Sequence, residues 1–255
     1  MSFFKAAVWG IIQGITEFIP VSSSGHLVVI PRFLGIEGPD LISNVALHIG
    51  TLAAIIIFFR KEIAALFVSE KRLGFLIICA SLPVLLMGLF FADLIKRVFE
   101  NPNTVGWFFI VNGGIIMAAH ARLRYFEPLR SADMGLFKAI AIGIAQSFAL
   151  LPGISRSGIT MTAGIFLGLD RKEAFKFSFL LFLPASIMAV MYSVKEALSV
   201  QYVFSPNILL GMLFSAVFGI LALRMLYSIL MKTRLNILGS YCIALGISTL
   251  FVFNR

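Results

Sequence analysis

Six apolar segments, at about 43–60, 73–93, 104–121, 173–194, 207–228 and 235–253, govern what this chain can fold into. Each approaches the ~20 residues with which a helix crosses a hydrocarbon core. A bilayer offers no water to backbone N–H and C=O groups, so spanning segments of this kind must satisfy themselves as helices. Charge content agrees: 13% of the residues are charged, where a soluble domain carries roughly 25%. No polar stretch is long enough for a soluble domain. The expected fold is all-α integral membrane, a single membrane domain over 1–255.

The formal net charge of +9 does not point to nucleic acid, because no basic stripe with interleaved aromatics accompanies it. Excess Lys and Arg in a membrane protein records short loops retained in the cytoplasm. Cys79 and Cys242 lie inside apolar runs without metal-ligand spacing and read as small core residues. The first residues, with Lys5 ahead of an apolar stretch, resemble a signal peptide. They run on into Gln13 and Glu17 with no small-x-small cleavage site, so they read as retained structure.

Two further apolar regions are broken. Residues 3–36 are interrupted by PVSSSGH (Pro20 to His26), and residues 134–169 by PGISRSG (Pro152 to Gly158). Each half is too short to span, and Pro and Gly at the break deny the backbone its helical bonds. Such a pair reads as a re-entrant hairpin, its tip surrounded by protein or a wet cavity. At a constant offset of 133 residues, Gly10 matches Gly143, Gln13 matches Gln146, Ser22 matches Ser155, Ser24 matches Ser157 and Gly25 matches Gly158. Three spans follow each copy, an odd number, so the second half must be upside down. The expectation is six transmembrane helices plus two re-entrant helix pairs as inverted-topology repeats, 1–121 and 134–255. Their shared polar site lies near the midplane.

Fourteen loop Lys and Arg, among them Arg60, Lys61, Arg124 and Arg171, fall on one side of this arrangement. Six (Lys5, Arg32, Lys96, Arg97, Lys195 and Arg255) fall on the other. The richer side should be cytoplasmic. Both termini are then outside, and the first hairpin enters from there.

Gln13 and Glu17, four apart, share one helix face. Pro20 ends that helix, and Leu27 is expected to begin the next. Serines before a helix suit its N-cap, and the helix start is a seat for phosphate. Gly25 lets backbone approach a ligand. In the second break, Ser155, Arg156, Ser157, Gly158 and Thr160 line the turn, and a guanidinium there can fork onto phosphate oxygens. The repeats differ where it matters: Glu17 stands opposite Leu150, Ser23 opposite Arg156, and His26 opposite Ile159. One hairpin keeps groups that react, the other groups that clamp.

Plainer readings compete. A lone intramembrane Ser or Thr back-bonds to its own helix, and the lone His48 of VALHIGT reads as a satisfied polar residue. Gln13 can serve simply as an amide tying helices together. Glu17 and Arg156 resist such a reading, since each costs roughly 2.5–3.5 kcal/mol at mid-bilayer on insertion scales.

With these residues in view, GIIQGITEFIPVSSSGH and LLPGISRSGIT resemble the two signature segments of the bacterial undecaprenyl-diphosphatase, or bacitracin-resistance, family. The likeness runs over nearly the whole chain, including FKFSFLLFLPAS. Gln13 stands where many members have Glu, a departure that weakens a two-carboxylate metal site. The resemblance implies hydrolysis of undecaprenyl diphosphate to the monophosphate, recycling a carrier lipid for cell-wall polymers. It implies a multi-pass protein of the inner (plasma) membrane, facing the periplasm or exterior with its active site. Membrane lipid and a polyprenyl diphosphate are the implied partners, with a homodimer as an assembly the family admits. It further implies a divalent cation, Mg²⁺ or Ca²⁺, and Glu17, Ser23, His26 and Arg156 as the catalytic positions.

The expected mechanism has the diphosphate held by Arg156 and by Ser22, Ser24, Gly25, Ser155, Ser157, Gly158 and Thr160. Ser23 attacks the terminal phosphorus with His26 as its base, and Glu17 orients His26 or, with Gln13, meets the cation. Direct attack by water activated at His26 is equally open. A lipid flippase or ion-coupled transporter built on the same inverted repeat is the alternative function.

Overall fold

The structure, a computed structural model, describes residues 2–91, 94–95, 97–98, 101–122, 130–198, 205–232 and 234–253. Lys96, Arg124, Arg255 and the last two residues of the expected 73–93 span lie outside these.

No β-strand occurs among the described residues. Two short helices come first, α1 (Phe3–Phe18) and α2 (Ser23–Leu34), followed by α3 (Leu41–Phe58), α4 (Arg60–Val68), α5 (Lys71–Phe90) and α6 (Pro102–Arg122). A second short pair, α7 (Leu136–Ser147) and α8 (Arg156–Phe166), precedes α9 (Arg171–Leu198), α10 (Asn207–Met231) and α11 (Leu235–Phe253). Six helices, α3, α5, α6, α9, α10 and α11, are long and apolar enough to cross a membrane. They coincide with the six expected segments to within a few residues. Many of their large apolar side chains, such as Phe75, Ile78 and Leu89 on α5, remain exposed. That is the surface expected of a protein solvated by lipid.

Two local expectations are corrected. The stretch between the first two spans is not simply a loop, because Arg60 to Val68 form α4. No residue of α4 is buried, so it carries no core-facing stripe by which to recognise it. The second helix begins at Ser23 rather than Leu27. Ser22, not a later residue, is its N-cap and accepts from the Gly25 N–H at 3.3 Å. Ser23, Ser24, Gly25 and His26 therefore stand in the first helical turn.

Packing joins the two halves of the sequence throughout. α1 lies against α10 and α3, α7 against α5, α3 against α9, and α6 against α11. At the first two contacts a glycine brings backbone to backbone: a Cβ on Gly10 would stand 2.5 Å from the Gly211 carbonyl oxygen, one on Gly143 2.0 Å from that of Ala80. In the α6–α11 pair, Gly106 lies against Gly246 and Gly113 against Gly239. At the offset of 133, Gly106 corresponds to Gly239 and Gly113 to Gly246, so exchanging the halves turns one contact into the other.

An aromatic cluster fills the space beneath the first break. Phe18 meets Phe179 and Phe182, each at 5.8 Å between ring centroids, and Phe175 meets Phe179 at 4.7 Å. At the basic end of the bundle, cations close on helix ends: Arg171 donates to the Met231 carbonyl at 3.1 Å, Lys138 to that of Leu167 at 2.9 Å. Lys176 pairs with Glu70 at 2.6 Å.

Candidate functional site

The two breaks meet inside the helices. Ser22 is the only described non-glycine residue with positive φ, at 68°, and its hydroxyl accepts from both Gly25 N–H and, across the site, Gly153 N–H at 3.1 Å. Ser157 donates to the Phe18 carbonyl at 3.0 Å. Asn112 of α6 sits between the tips, donating to the Pro20 carbonyl and accepting from the Ser155 N–H, both at 3.0 Å. Asn112 is fully buried. It belongs to no motif and was missed in the sequence; an amide amid the apolar residues of a span was the available signal.

Most serines of the two tips thus hold the protein to itself. Ser155 caps α8 by accepting from Gly158 N–H at 3.2 Å and pairs with Ser157 at 3.1 Å. Thr160 donates to the Arg156 carbonyl and meets Ser178 at 2.5 Å. Ser22, Ser155, Ser157 and Thr160 are buried, and each of these hydroxyls is engaged by a protein partner. Gly25 and Gly158 likewise make room for protein. A Cβ on Gly25 would meet Phe109 at 2.5 Å and Gly153 at 3.0 Å, and one on Gly158 would meet Pro20 at 3.2 Å.

Ser23, Ser24 and Arg156 are the polar residues of the tips that stay only partly buried. Ser23 donates to the Glu17 carboxylate, and Gln13 Nε2 donates to the same oxygen at 2.9 Å. Glu17, deeply buried, therefore touches Ser23 as a proton acceptor would. His26 does not. Its Nδ1 is 2.7 Å from the Ser22 carbonyl and its Nε2 2.8 Å from the Tyr241 hydroxyl. A carbonyl only accepts, so Nδ1 carries the proton and a neutral ring accepts from Tyr241 at Nε2. The ring also stacks on Tyr241 and meets the edge of Phe109. His26 is turned away from Ser23, contrary to the expected pairing. Tyr241, on the last helix, is a second residue the sequence did not reveal.

Arg156 donates to the Ser186 hydroxyl at 2.6 Å, and its guanidinium lies over the Phe182 ring at 4.6 Å from the centroid. Its guanidinium lines a cleft of about 160 Å³ between α3 and α9.

For a cation, no three His, Cys, Asp or Glu side chains gather among the described residues. Gln13 Oε1 is buried without a partner beside Glu17. Two oxygen donors of this kind fit Mg²⁺ or Ca²⁺ that takes its other ligands from phosphate. The repeat mate Gln146, also fully buried, has neither end of its amide partnered.

Comparison with known proteins gives a consistent picture. The family described as "Bacitracin resistance protein BacA" matches residues 6–248. The undecaprenyl-diphosphatase of Halothermothrix orenii is 36% identical, covering 97% of this chain and 96% of its own. That of Methanosphaera stadtmanae is 35% identical over 99% of this chain and 98% of its own. That of Thermodesulfovibrio yellowstonii is 38% identical over 93% and 92%.

Proposed function

The chain belongs to the bacitracin resistance protein BacA family, and from that membership we infer that it hydrolyses undecaprenyl diphosphate to undecaprenyl phosphate and inorganic phosphate. This recycles the carrier lipid for cell-wall synthesis. The observation that carries the reading to these residues is the Ser23 hydroxyl held on the buried Glu17 carboxylate at the meeting of two tips, with Arg156 on the facing one. The relatives' names do not favour the transporter alternative.

Glu17 accepts the Ser23 proton as Oγ attacks the terminal phosphorus. The bond from that phosphorus to the bridging oxygen breaks, and the lipid monophosphate leaves with the electron pair. Arg156 holds equatorial oxygens through the charge shift. Glu17 gives the Ser23 proton to the departing monophosphate; water then hydrolyses the phosphoserine, its proton passing to Glu17 and on to the Ser23 oxygen as the bond to phosphorus breaks. His26, clamped by Ser22 and Tyr241, sets the first turn of α2 and so the aim of Ser23. Gln13 Oε1 and Glu17 would hold a divalent cation, which when bound supplies positive charge to the phosphate oxygens.

The architecture that supports this site is an inverted repeat with two re-entrant helix pairs. Its support is the glycine contacts that map onto each other when the halves are exchanged, and the shortness of α1, α2, α7 and α8. The basic end of the bundle faces the cytoplasm, and the site opens to the exterior of the plasma membrane.

The test is phosphate release from a polyprenyl diphosphate by the purified protein with Mg²⁺ or Ca²⁺. A brief acid quench should trap label on Ser23. No release by the wild type removes the enzyme; release without a labelled Ser23 replaces the covalent route by direct attack of water.

A further inference from the structure

His48 and Asn44 take no part in the chemistry above, yet they line the cleft to which Arg156 belongs. One turn apart on α3, they face the Ser186 side of α9 across it. Asn44 Oδ1 is buried without a partner, so nothing fixes that amide, and a half-turn presents its NH₂. His48 Nδ1 is 2.9 Å from the Asn44 carbonyl, which makes Nδ1 the protonated nitrogen and leaves Nε2 free of any protein partner. Polar groups are thus gathered around Arg156, while Val45 and Val190 line the walls. Leu41 of the same cleft is 39% exposed, so the cleft reaches the protein's surface.

A pocket with a cationic, hydrogen-bonding floor and apolar walls suits an anion that carries a hydrocarbon chain. We propose that the α3–α9 cleft seats the lipid-bearing phosphate of the substrate, with His48 and Asn44 as its binding residues, while the terminal phosphate lies at Ser23. Arg156, shared by both seats, spans the two phosphates. With a proton on Nε2 as well, His48 donates to a phosphate oxygen, and the Asn44 NH₂ donates beside it. The lipid-bearing phosphate is the leaving group, so a donor there stabilises the charge it acquires as the bridging bond breaks. The first prenyl unit lies against the valine walls. This inference rests on the diphosphatase reading and adds specificity: the site recognises a diphosphate by two seats rather than a phosphate by one.

Methylenediphosphonate, which cannot be hydrolysed at its bridge, fills both seats, whereas orthophosphate needs only the one at Ser23. Binding of each is measured by calorimetry on the purified full chain, so the result does not depend on turnover. His48→Ala should weaken methylenediphosphonate by about tenfold to a hundredfold, the loss of a hydrogen bond to a charged group, and leave orthophosphate little changed. His48→Gln, which keeps a donor, should restore most of the affinity and shows that the Ala variant has not merely misfolded. Asn44→Ala should act in the same direction, more weakly. Unchanged methylenediphosphonate binding in His48→Ala, or equal loss for both probes, overturns the assignment. Absent turnover in the wild type would instead remove the diphosphatase reading while leaving these binding results to stand.

Discussion

Ser23 and Arg156 hold equivalent stations: each is the first residue of its helix, directly after a serine N-cap. Ser22 and Ser155 accept from the N–H groups of Gly25 and Gly158, each three residues on. The same capping bond therefore places a hydroxyl at the start of one helix and a guanidinium at the start of the other, although Ser22 has φ 68° and Ser155 φ −82°. The two positions correspond at the offset of 133 residues, and they differ in the side chain they carry. The caps also explain why so many serines surround so few accessible ones, because a tip buried among helices has to satisfy its own backbone.

Removing the guanidinium should separate binding charge from reacting groups. Arg156→Ala is expected to lower kcat by about 10²–10³, the cost of deleting a transition-state donor. Arg156→Lys should recover part of that, since an ammonium keeps the charge but not the planar fork. Initial rates of phosphate release measure both; full activity in the Ala variant would remove Arg156 from the chemistry.

Asn112 is the bridge between the tips, and its substitution tests whether their registry matters. Asn112→Leu keeps the branched shape but leaves the Ser155 N–H unpaired and the Pro20 carbonyl with only the Cys242 thiol at 3.8 Å, at about 1–3 kcal/mol for an unsatisfied buried group. The thermal midpoint in detergent should fall, and kcat should fall with it below that midpoint, because the aim of Ser23 and Arg156 loosens. An unshifted midpoint would show that water or a neighbour takes over both bonds.

How far the sequence anticipated this depends on the kind of signal each residue carries. The spans are legible because length and apolarity are sufficient for a bilayer, and the breaks because Pro20, Pro152 and Gly153 interrupt them. Gln13, Glu17, Ser23 and Arg156 stand out as polar residues at duplicated sites. Asn112 and Tyr241 carry no such mark, being fixed by which helix packs where, and α4 lacks a buried face altogether. The pairing of His26 could not be read either: spacing puts it three residues from Ser23, but the first turn of α2 points its ring toward Tyr241 instead.

Tyr241→Phe keeps the stacked ring and deletes only the hydroxyl that His26 Nε2 accepts from. The loss of one hydrogen bond, about 0.5–1.5 kcal/mol, should loosen the imidazole and reduce kcat by less than tenfold. His26→Ala should cost more, since the contact to the Ser22 carbonyl goes as well. A faster Tyr241→Phe enzyme would mean that His26, once freed, serves Ser23 as a base, restoring the expectation drawn from the sequence.

The backbone contact at Gly143 makes a prediction about folding alone. Gly143→Ala puts a methyl group 2.0 Å from the Ala80 carbonyl oxygen, so α7 must move off α5. Overpacking of this kind typically costs about 1–3 kcal/mol. Gly88 of α5 has nothing within 4 Å of the added Cβ, and Gly88→Ala should be neutral or stabilising by up to about 1 kcal/mol. Thermal midpoints of the two variants in one detergent should move in opposite directions. A stable Gly143→Ala protein would show that the α5–α7 contact is looser than this geometry.

Gln13→Glu tests whether a cation is held at Gln13 and Glu17. Its Oε1 is orphaned in the interior, and its Nε2 is already bound to Glu17, so the amide offers one neutral oxygen beside one carboxylate. Gln13→Glu replaces that oxygen with a charged one. Without a cation the two carboxylates repel across one helical turn; with one, both become ligands. Turnover should therefore persist but become more dependent on Mg²⁺ or Ca²⁺, with half-maximal activation at a lower cation concentration than in the wild type. Chelation should inactivate the variant more completely. If activity in Gln13→Glu responds to cation as the wild type does, the ion is not held at Gln13 and Glu17, and the orphaned oxygen needs a different partner.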